Sequence, residues 1–316
     1  MKRTVKLISL MLLYTFFLCI ASYAQKFSVT VSDLSNVTVV SDFSPTEKME
    51  TVLCRRGANN LFDFHSWKVF DKKSKALFSA VNDSDCFSPY VVFANNRAAG
   101  DNRYTYDFTG GNHDYSNRNG GKSPTARSEY VAVYVDGEYK SDYNGWAQTL
   151  EIKVSNLVQG SNTKRENGAG KNVLREQITL SFDGKVWSVG TKITALCDLT
   201  LRRYYGYCLS ASAFGDRVEY LYPDRKSYNH FYNFYDSDST TKDCNGMYLS
   251  GGKVDVRMCI SDYSDKVTNN TSHYSAFFTE YGKMYFNIIY GNKPKIMSKG
   301  ETFEIGGSYE FLKPEA

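Results

Sequence analysis

The segment Thr109-Gly110-Gly111-Asn112-His113-Asp114-Tyr115-Ser116-Asn117-Arg118-Asn119-Gly120-Gly121-Lys122-Ser123 gathers an imidazole, a phenol, a guanidinium and several amides into one glycine-rich stretch. Groups of these types bind polar ligands and move protons, and they collect on loops carried by a rigid scaffold. A phosphate cradle is excluded, because Ser116 stands where the first glycine of that motif is required and Pro124 follows where a helix would begin. His113 is the natural proton acceptor here, with Asn112 and Tyr115 as binding groups.

A second concentration of useful chemistry is Arg202-Arg203-Tyr204-Tyr205-Gly206-Tyr207, followed by Tyr222-Pro223-Asp224-Arg225-Lys226-Ser227-Tyr228-Asn229-His230-Phe231-Tyr232. Aromatic rings interleaved with cations stack on sugar rings while meeting acidic substituents, so Arg202, Tyr204 and His230 are candidate contacts. The plainer reading is a strand with half-buried tyrosines and solvated arginines. Of the three tryptophans, Trp146 lies in a glycine-containing stretch and is the candidate for exposure, whereas Trp67 and Trp187 suit a core. Asp83-Ser84-Asp85 and Asp236-Ser237-Asp238 have calcium-binding residue types, but neither completes an EF-hand loop, and polar turns are expected. No cofactor is implied, calcium being the one ion considered. His65 and His273 lack ligand spacing.

The elements that must position these groups are strands. Leu150, Ile152 and Val154 alternate with polar residues, as do Ile178, Leu180 and Phe182, a period of two with one buried and one wetted face. Phe27–Val31, Val37–Val40, Tyr90–Ala94, Tyr104–Phe108, Tyr130–Val135, Lys192–Leu196, Val218–Tyr222, Val254–Ile260, Met284–Tyr290 and Thr302–Ile305 read the same way. Asp136-Gly137 and Asp183-Gly184 sit between alternating runs as hairpin turns. No helical stripe of twelve residues appears outside the N-terminus. The expected fold is all-β, one large antiparallel sandwich or jelly roll, concanavalin-like, over residues 25–316. Residues 25–44 form a possible separate N-terminal strand segment, since Ser41–Lys48 is loop-like and contains Pro45.

Residues 1–24 have the form of an export signal. Lys2, Arg3 and Lys6 precede the apolar run Leu7 to Ile20, and Ser22-Tyr23-Ala24 is a small-x-small site, so cleavage is expected before Gln25. The mature chain would be secreted or periplasmic, without a transmembrane anchor. Removing 24 residues from 316 leaves 292, and losing three cations and no acids takes the formal charge from +4 to about +1. That near-neutrality excludes nucleic acid as a partner. It also leaves six cysteines, Cys54, Cys86, Cys197, Cys208, Cys244 and Cys259, an even set that permits three disulfides in an oxidising compartment. Composition excludes a disordered chain, a collagen-like repeat and a multi-span membrane protein: 42% of residues are hydrophobic and 23% charged, with 25 tyrosines.

Arg127-Ser128-Glu129-Tyr130-Val131, Gln177-Ile178-Thr179 and Tyr285-Phe286-Asn287-Ile288-Ile289-Tyr290 occur in that order. The order resembles that of jelly-roll polysaccharide lyases of the alginate-lyase type, which carry R-S/T-E-x-R, Q-I-H and Y-F-K strands on a concave face. Here Val131 replaces the second arginine, Thr179 the histidine base and Asn287 the lysine, and Tyr290 falls one residue short of the family's tyrosine. The resemblance implies β-elimination on an acidic, uronate-containing glycan, with the base supplied from elsewhere. His113 would be that base, Tyr204 or Tyr290 the acid, and Arg127 with Gln177 or Asn112 the carboxylate holders. The alternatives are a glycan-binding or surface-structural sandwich that uses tyrosines as stacking platforms, and a glycosidase built on Glu129, Glu151 or Glu176. In each case the expected partner is a polysaccharide or oligosaccharide and the expected state a monomer.

Overall fold

The computed structural model describes residues 26–87, 89–95, 107–115, 123–163, 170–223, 226, 228–230, 244–262, 274–278, 282–290 and 293–315. Residues 1–25, Ser116 to Lys122, Asp236 to Asp238 and His273 lie outside the described residues, as do residues 104–106 of the expected Tyr104–Phe108 strand. Among the described residues the chain is all β, apart from one 3-10 turn at Ser161–Thr163.

A six-stranded sheet holds β1 (Phe27–Ser32), β2 (Asn36–Ser44), β3 (Glu47–Arg56), β4 (Leu61–Asp71) and β5 (Ala76–Val81) as a meander. Its far edge is closed by β9 (Tyr143–Ala147), which pairs with β1. Two small sheets involve β6 (Tyr90–Ala94), β13 (Leu199–Tyr204) and β21 (Lys295–Met297), and β14 (Cys208–Ser210), β19 (Tyr274–Phe278) and β20 (Lys283–Asn287). The remaining ten strands make one large antiparallel sheet. At its centre are β7 (Ala126–Val135), β10 (Leu150–Gln159), β11 (Asn172–Phe182), β12 (Val186–Ala195) and β22 (Thr302–Leu312). β8 (Glu138–Tyr139) forms one edge, and β18 (Asp255–Asp262), β17 (Gly246–Gly251), β15 (Gly215–Leu221) and β16 (Tyr228–His230) continue to the other.

Alternation explains the layering. Leu150, Ile152 and Val154 on β10 and Ile178, Leu180 and Phe182 on β11 are buried, while Glu151, Lys153, Gln177 and Thr179 are half-exposed. The inner face of the large sheet meets the six-stranded sheet through Phe27 on Phe182 and Phe64 on Trp187 and Tyr309. Further along, the same face meets the small sheets, where Tyr204 packs on Phe303. Trp67 and Trp187 are both 1% exposed and anchor this core, whereas Trp146 is 62% exposed. The β7–β8 connection is Asp136-Gly137, with φ of 50° and 82°, the left-handed pair that a two-residue hairpin turn requires.

Two expectations change. Ser41–Lys48 is not a long loop, because β2 runs to Ser44 and β3 begins at Glu47, with Asp42 opposite Lys48. The even cysteine count does not become disulfides, since no two of the six described cysteines are bridged. Two of the buried sulfurs have local roles instead: Cys86 Sγ accepts from Asn82 Nδ2 at 3.3 Å, and Cys244 Sγ donates to the Gly246 carbonyl at 2.8 Å.

Candidate functional site

The site begins with four chain segments lying side by side. Tyr90 on β6 exchanges backbone hydrogen bonds with Thr109, β13 pairs with β6 through Tyr204 opposite Tyr90, and Tyr204 exchanges bonds with Ile289. The row Thr109, Tyr90, Tyr204 and Ile289 faces inward and is buried. The neighbouring row, with Arg203 opposite Val91, turns to the other face. Val91 is covered there, while Arg203 and Tyr290 are half-exposed. A β-bulge at Arg202, the extra residue between the Leu201 and Arg203 pairings, re-aims the two arginines. Arg202 lies over the Phe93 ring at 5.3 Å and Arg203 over the Tyr290 ring at 5.3 Å.

His113 joins this outward surface. Phe108 sits 5.2 Å from the His113 ring and 5.3 Å from Tyr205, and Tyr205 stacks on Tyr285 at 4.3 Å. The imidazole, a phenol and a guanidinium thus share one surface. Burial raises the Tyr205 pKa, opposed by the charge and hydrogen bond of Arg203, so the phenol stays protonated across neutral pH.

The loop under His113 is pinned from behind. Asn59 is buried; its Nδ2 donates to the carbonyls of Gly111 and His113, each at 2.8 Å, and its Oδ1 accepts from Thr125 N at 2.7 Å and Ala126 N at 3.0 Å. Asn112 accepts from Ala58 N at 2.8 Å, so its side chain closes the Gly57 turn. Gly111 has a φ of 49°, and a Cβ there would lie 2.8 Å from the Asp85 carboxyl. Its missing side chain lets Asp85 pass beneath the loop, where Asp85 Oδ1 accepts from Asn112 N at 2.5 Å and Oδ2 lies 3.5 Å from His113 Nε2.

Behind Asp85 is a small acidic cavity of about 20 Å³, room for one water, lined by Arg56, Asp63, Asp85, Asn112, Asn156 and Glu176. Burial, and secondarily the charge of Asp85, pushes the Asp63 carboxyl up to about 8. Burial also raises Glu176, against the lowering hydrogen bonds from Tyr90 and from Asn156, whose Nδ2 donates at 2.9 Å. Asn156 Oδ1 is buried and meets no donor among the described residues. A water donating to it would satisfy the group. Among the described residues no three of His, Cys, Asp and Glu stand close enough to hold a metal. Asp83 is exposed, while Ser84 and Asp85 are buried, so the Asp83–Asp85 stretch is not a solvated turn.

Of the residues named from sequence, His113, Tyr290 and Arg202 lie on or beside this surface, and Asn112 supports it. Tyr204 is 1% exposed and stacked on Tyr90 at 5.1 Å. Tyr115 is buried and donates to the Gly160 carbonyl at 2.9 Å. Arg127 and Gln177 project from the other side of the large sheet, since their neighbours Ala126 and Glu176 are the buried ones. Trp146 is on β9 of the six-stranded sheet, and His230 is on β16 opposite Val218. Of the three glutamates, Glu129 is held by Arg175 at 2.7 and 3.1 Å, Glu151 pairs with Lys153 at 2.9 Å, and Glu176 points inward. Asp63 and Asn59 are the contributors that residue type and spacing did not single out, while Asp85 and Arg203 stand out in the sequence only as members of the Asp83-Ser84-Asp85 stretch and the Arg202–Tyr207 cluster.

No protein-family model matches the sequence, and no curated protein matches it. The α-galactosidase from Lactobacillus brevis superposes with a TM-score of 0.48 at 10% identity, over 90% of this chain and 40% of that one. Heparan sulfate lyase HepC from Pedobacter heparinus does so with 0.38 at 10% identity, over 91% and 37%. The GH36 α-galactosidase AgaB from Geobacillus stearothermophilus gives 0.47 at 8% identity, over 86% and 41%. The chain thus spans about two fifths of each of these proteins. Likenesses this remote carry no weight for its chemistry.

Proposed function

We propose that this chain is an exported carbohydrate-active protein, a polysaccharide lyase that cleaves an acidic glycan by β-elimination. The observation that carries the reading is the shared surface of His113, Arg203, Tyr205 and Tyr290, with Asp85 behind the histidine. Elimination beside a uronate needs a partner for the carboxylate, a base for the C5 proton and an acid for the leaving oxygen.

Arg203 supplies the first. A guanidinium matches a carboxylate with two parallel donors, and neutralising that charge makes the adjacent C–H more acidic. His113 supplies the second: with Nε2 turned to Asp85, Nδ1 is the nitrogen left for the C5 proton. Electrons of the C5–H bond form the C4–C5 double bond as the C4–O bond breaks. Tyr205, or Tyr290 beside Arg203, gives its proton to the departing oxygen. Phe108 and Tyr285 offer apolar faces to the flanking sugar rings.

Mass spectrometry of digestion products tests the reaction class. Elimination leaves the fragment that carries the new non-reducing end one water lighter than hydrolysis of the same bond would. New non-reducing ends that carry the added water, from any uronate glycan, would replace the lyase reading with hydrolysis.

A further inference from the structure

The outer face of the large sheet carries a second surface whose chemistry differs from that around His113. Between the β7–β8 and β11–β12 hairpins lies a groove of about 550 Å³, lined by Tyr134, Thr149, Glu151, Lys153, Ser181 and Ser188. That is within the range of small-molecule sites, about 300–1,000 Å³. Ser181 and Ser188 are opposite partners across β11 and β12, so their hydroxyls rise together from the groove floor.

Aromatic rings stand along its β7 side. Tyr139 is 54% and Tyr130 47% exposed, two of the few large hydrophobic side chains left in water among the described residues. Tyr134 lies between them, its ring 6.0 Å from Tyr139 edge to face, with Lys153 Nζ 5.0 Å above it. Tyr130 and Tyr134 share one face of β7, about 13 Å apart along the strand. Rings held in this way present apolar faces with a polar rim, the surface that stacks on a pyranose.

The charges decide which glycan fits. Lys153 is paired with Glu151 at 2.9 Å, Arg175 with Glu129 at 2.7 Å, and Lys192 with Glu304 at 3.2 Å. Asp183 Oδ1 is occupied by the amides of Lys185 and Val186 at 2.9 and 2.8 Å. At the Tyr134 and Tyr139 rings the cation is Lys153, so an anionic sugar stacked there would have to break its pair with Glu151, whereas hydroxyls can bond to the charged groups as they stand.

We propose that this groove binds an uncharged oligosaccharide strand, stacked on Tyr134 and Tyr139, independently of the site at His113. The test is electrophoresis through native gels containing starch, mixed-linkage glucan or galactomannan, with alginate and heparan sulfate gels alongside. At least one uncharged polysaccharide should retard the full chain. Tyr134→Ala/Tyr139→Ala should weaken that retardation at least tenfold, and Ser188→Trp, which fills the groove without removing a ring, should do the same. His113→Ala should leave it unchanged, which separates failure here from failure of the lyase reading. The proposal is overturned if no uncharged gel retards the chain, if only acidic gels do, or if both groove variants, folded by circular dichroism, are retarded like the parent.

Discussion

Asp85 lies beneath His113 with its Oδ2 3.5 Å from the imidazole Nε2, in a space that exists because residue 111 is glycine. The aspartate is buried while the histidine side chain is 39% exposed, so the pair runs from the interior to the surface. A carboxylate in that place fixes the ring's orientation and supports the imidazolium that forms when the ring takes a proton. Asp85→Asn should therefore lower kcat on the order of 10²-fold with little change in KM, a split that steady-state kinetics reads directly. A rise in KM at constant kcat would assign Asp85 to substrate binding instead.

Arg203 and Arg127 make a paired test of which surface reacts. Arg203 stands over Tyr290 on the His113 surface, whereas Arg127 is exposed on the outer face of the large sheet. Arg203→Ala should reduce kcat/KM by at least tenfold and Arg127→Ala should leave it within about twofold. The reverse order would move the reaction to the outer face.

Asp63 predicts a dependence of stability on pH. Its folded-state pKa, about 8, lies above the ordinary 3.8, so the folded chain holds this proton more tightly than the unfolded chain does. Stability from this group is complete below about pH 4 and is lost as pH rises through about 8. Glu176, also raised by burial, acts in the same direction. Melting curves at pH 5, 7 and 9 should show Tm falling by several degrees towards alkaline pH, with a smaller fall for Asp63→Asn.

The phenol of Tyr90 caps the buried Glu176 carboxyl. Removing the hydroxyl leaves that oxygen without its donor, at a cost of about 1–3 kcal/mol. Urea denaturation of Tyr90→Phe should show a lower midpoint at an unchanged slope.

Much of the fold is legible in the sequence wherever one face of a strand is wet. Tyr90–Ala94 coincides with β6, Gln177–Phe182 falls within β11, and Asp136-Gly137 turns β7 into β8 as its residue types require. β4 is less readable, because Leu61, Phe62, Asp63 and Phe64 are buried in succession and the alternation disappears. In β3, Thr51 occupies a buried position and breaks the apolar pattern between Met49 and Leu53.

The site is legible by residue type more than by partnership. His113 and Tyr290 stand out as chemistry-bearing residues, but which arginine joins them depends on the bulge at Arg202, and nothing local announces a bulge. Asp63 and Asp85 read as ordinary polar residues until the fold places them beside Glu176, distant in sequence but lining the same cavity. Gln177 shows the opposite effect. It belongs to a suggestive triplet, yet its side chain turns to the wetted face, because its neighbour Glu176 is the one drawn inward by Tyr90 and Asn156.

The central claim is that His113 drives an elimination, and ultraviolet absorbance tests it most directly. Cleavage of a uronate glycan by elimination leaves a conjugated C4–C5 double bond, and hydrolysis does not. Incubating the chain with alginate, pectate, hyaluronan and heparan sulfate should raise absorbance with at least one of them, and His113→Ala should abolish the rise. No rise with any of the four, or a rise that His113→Ala leaves intact, would contradict the account.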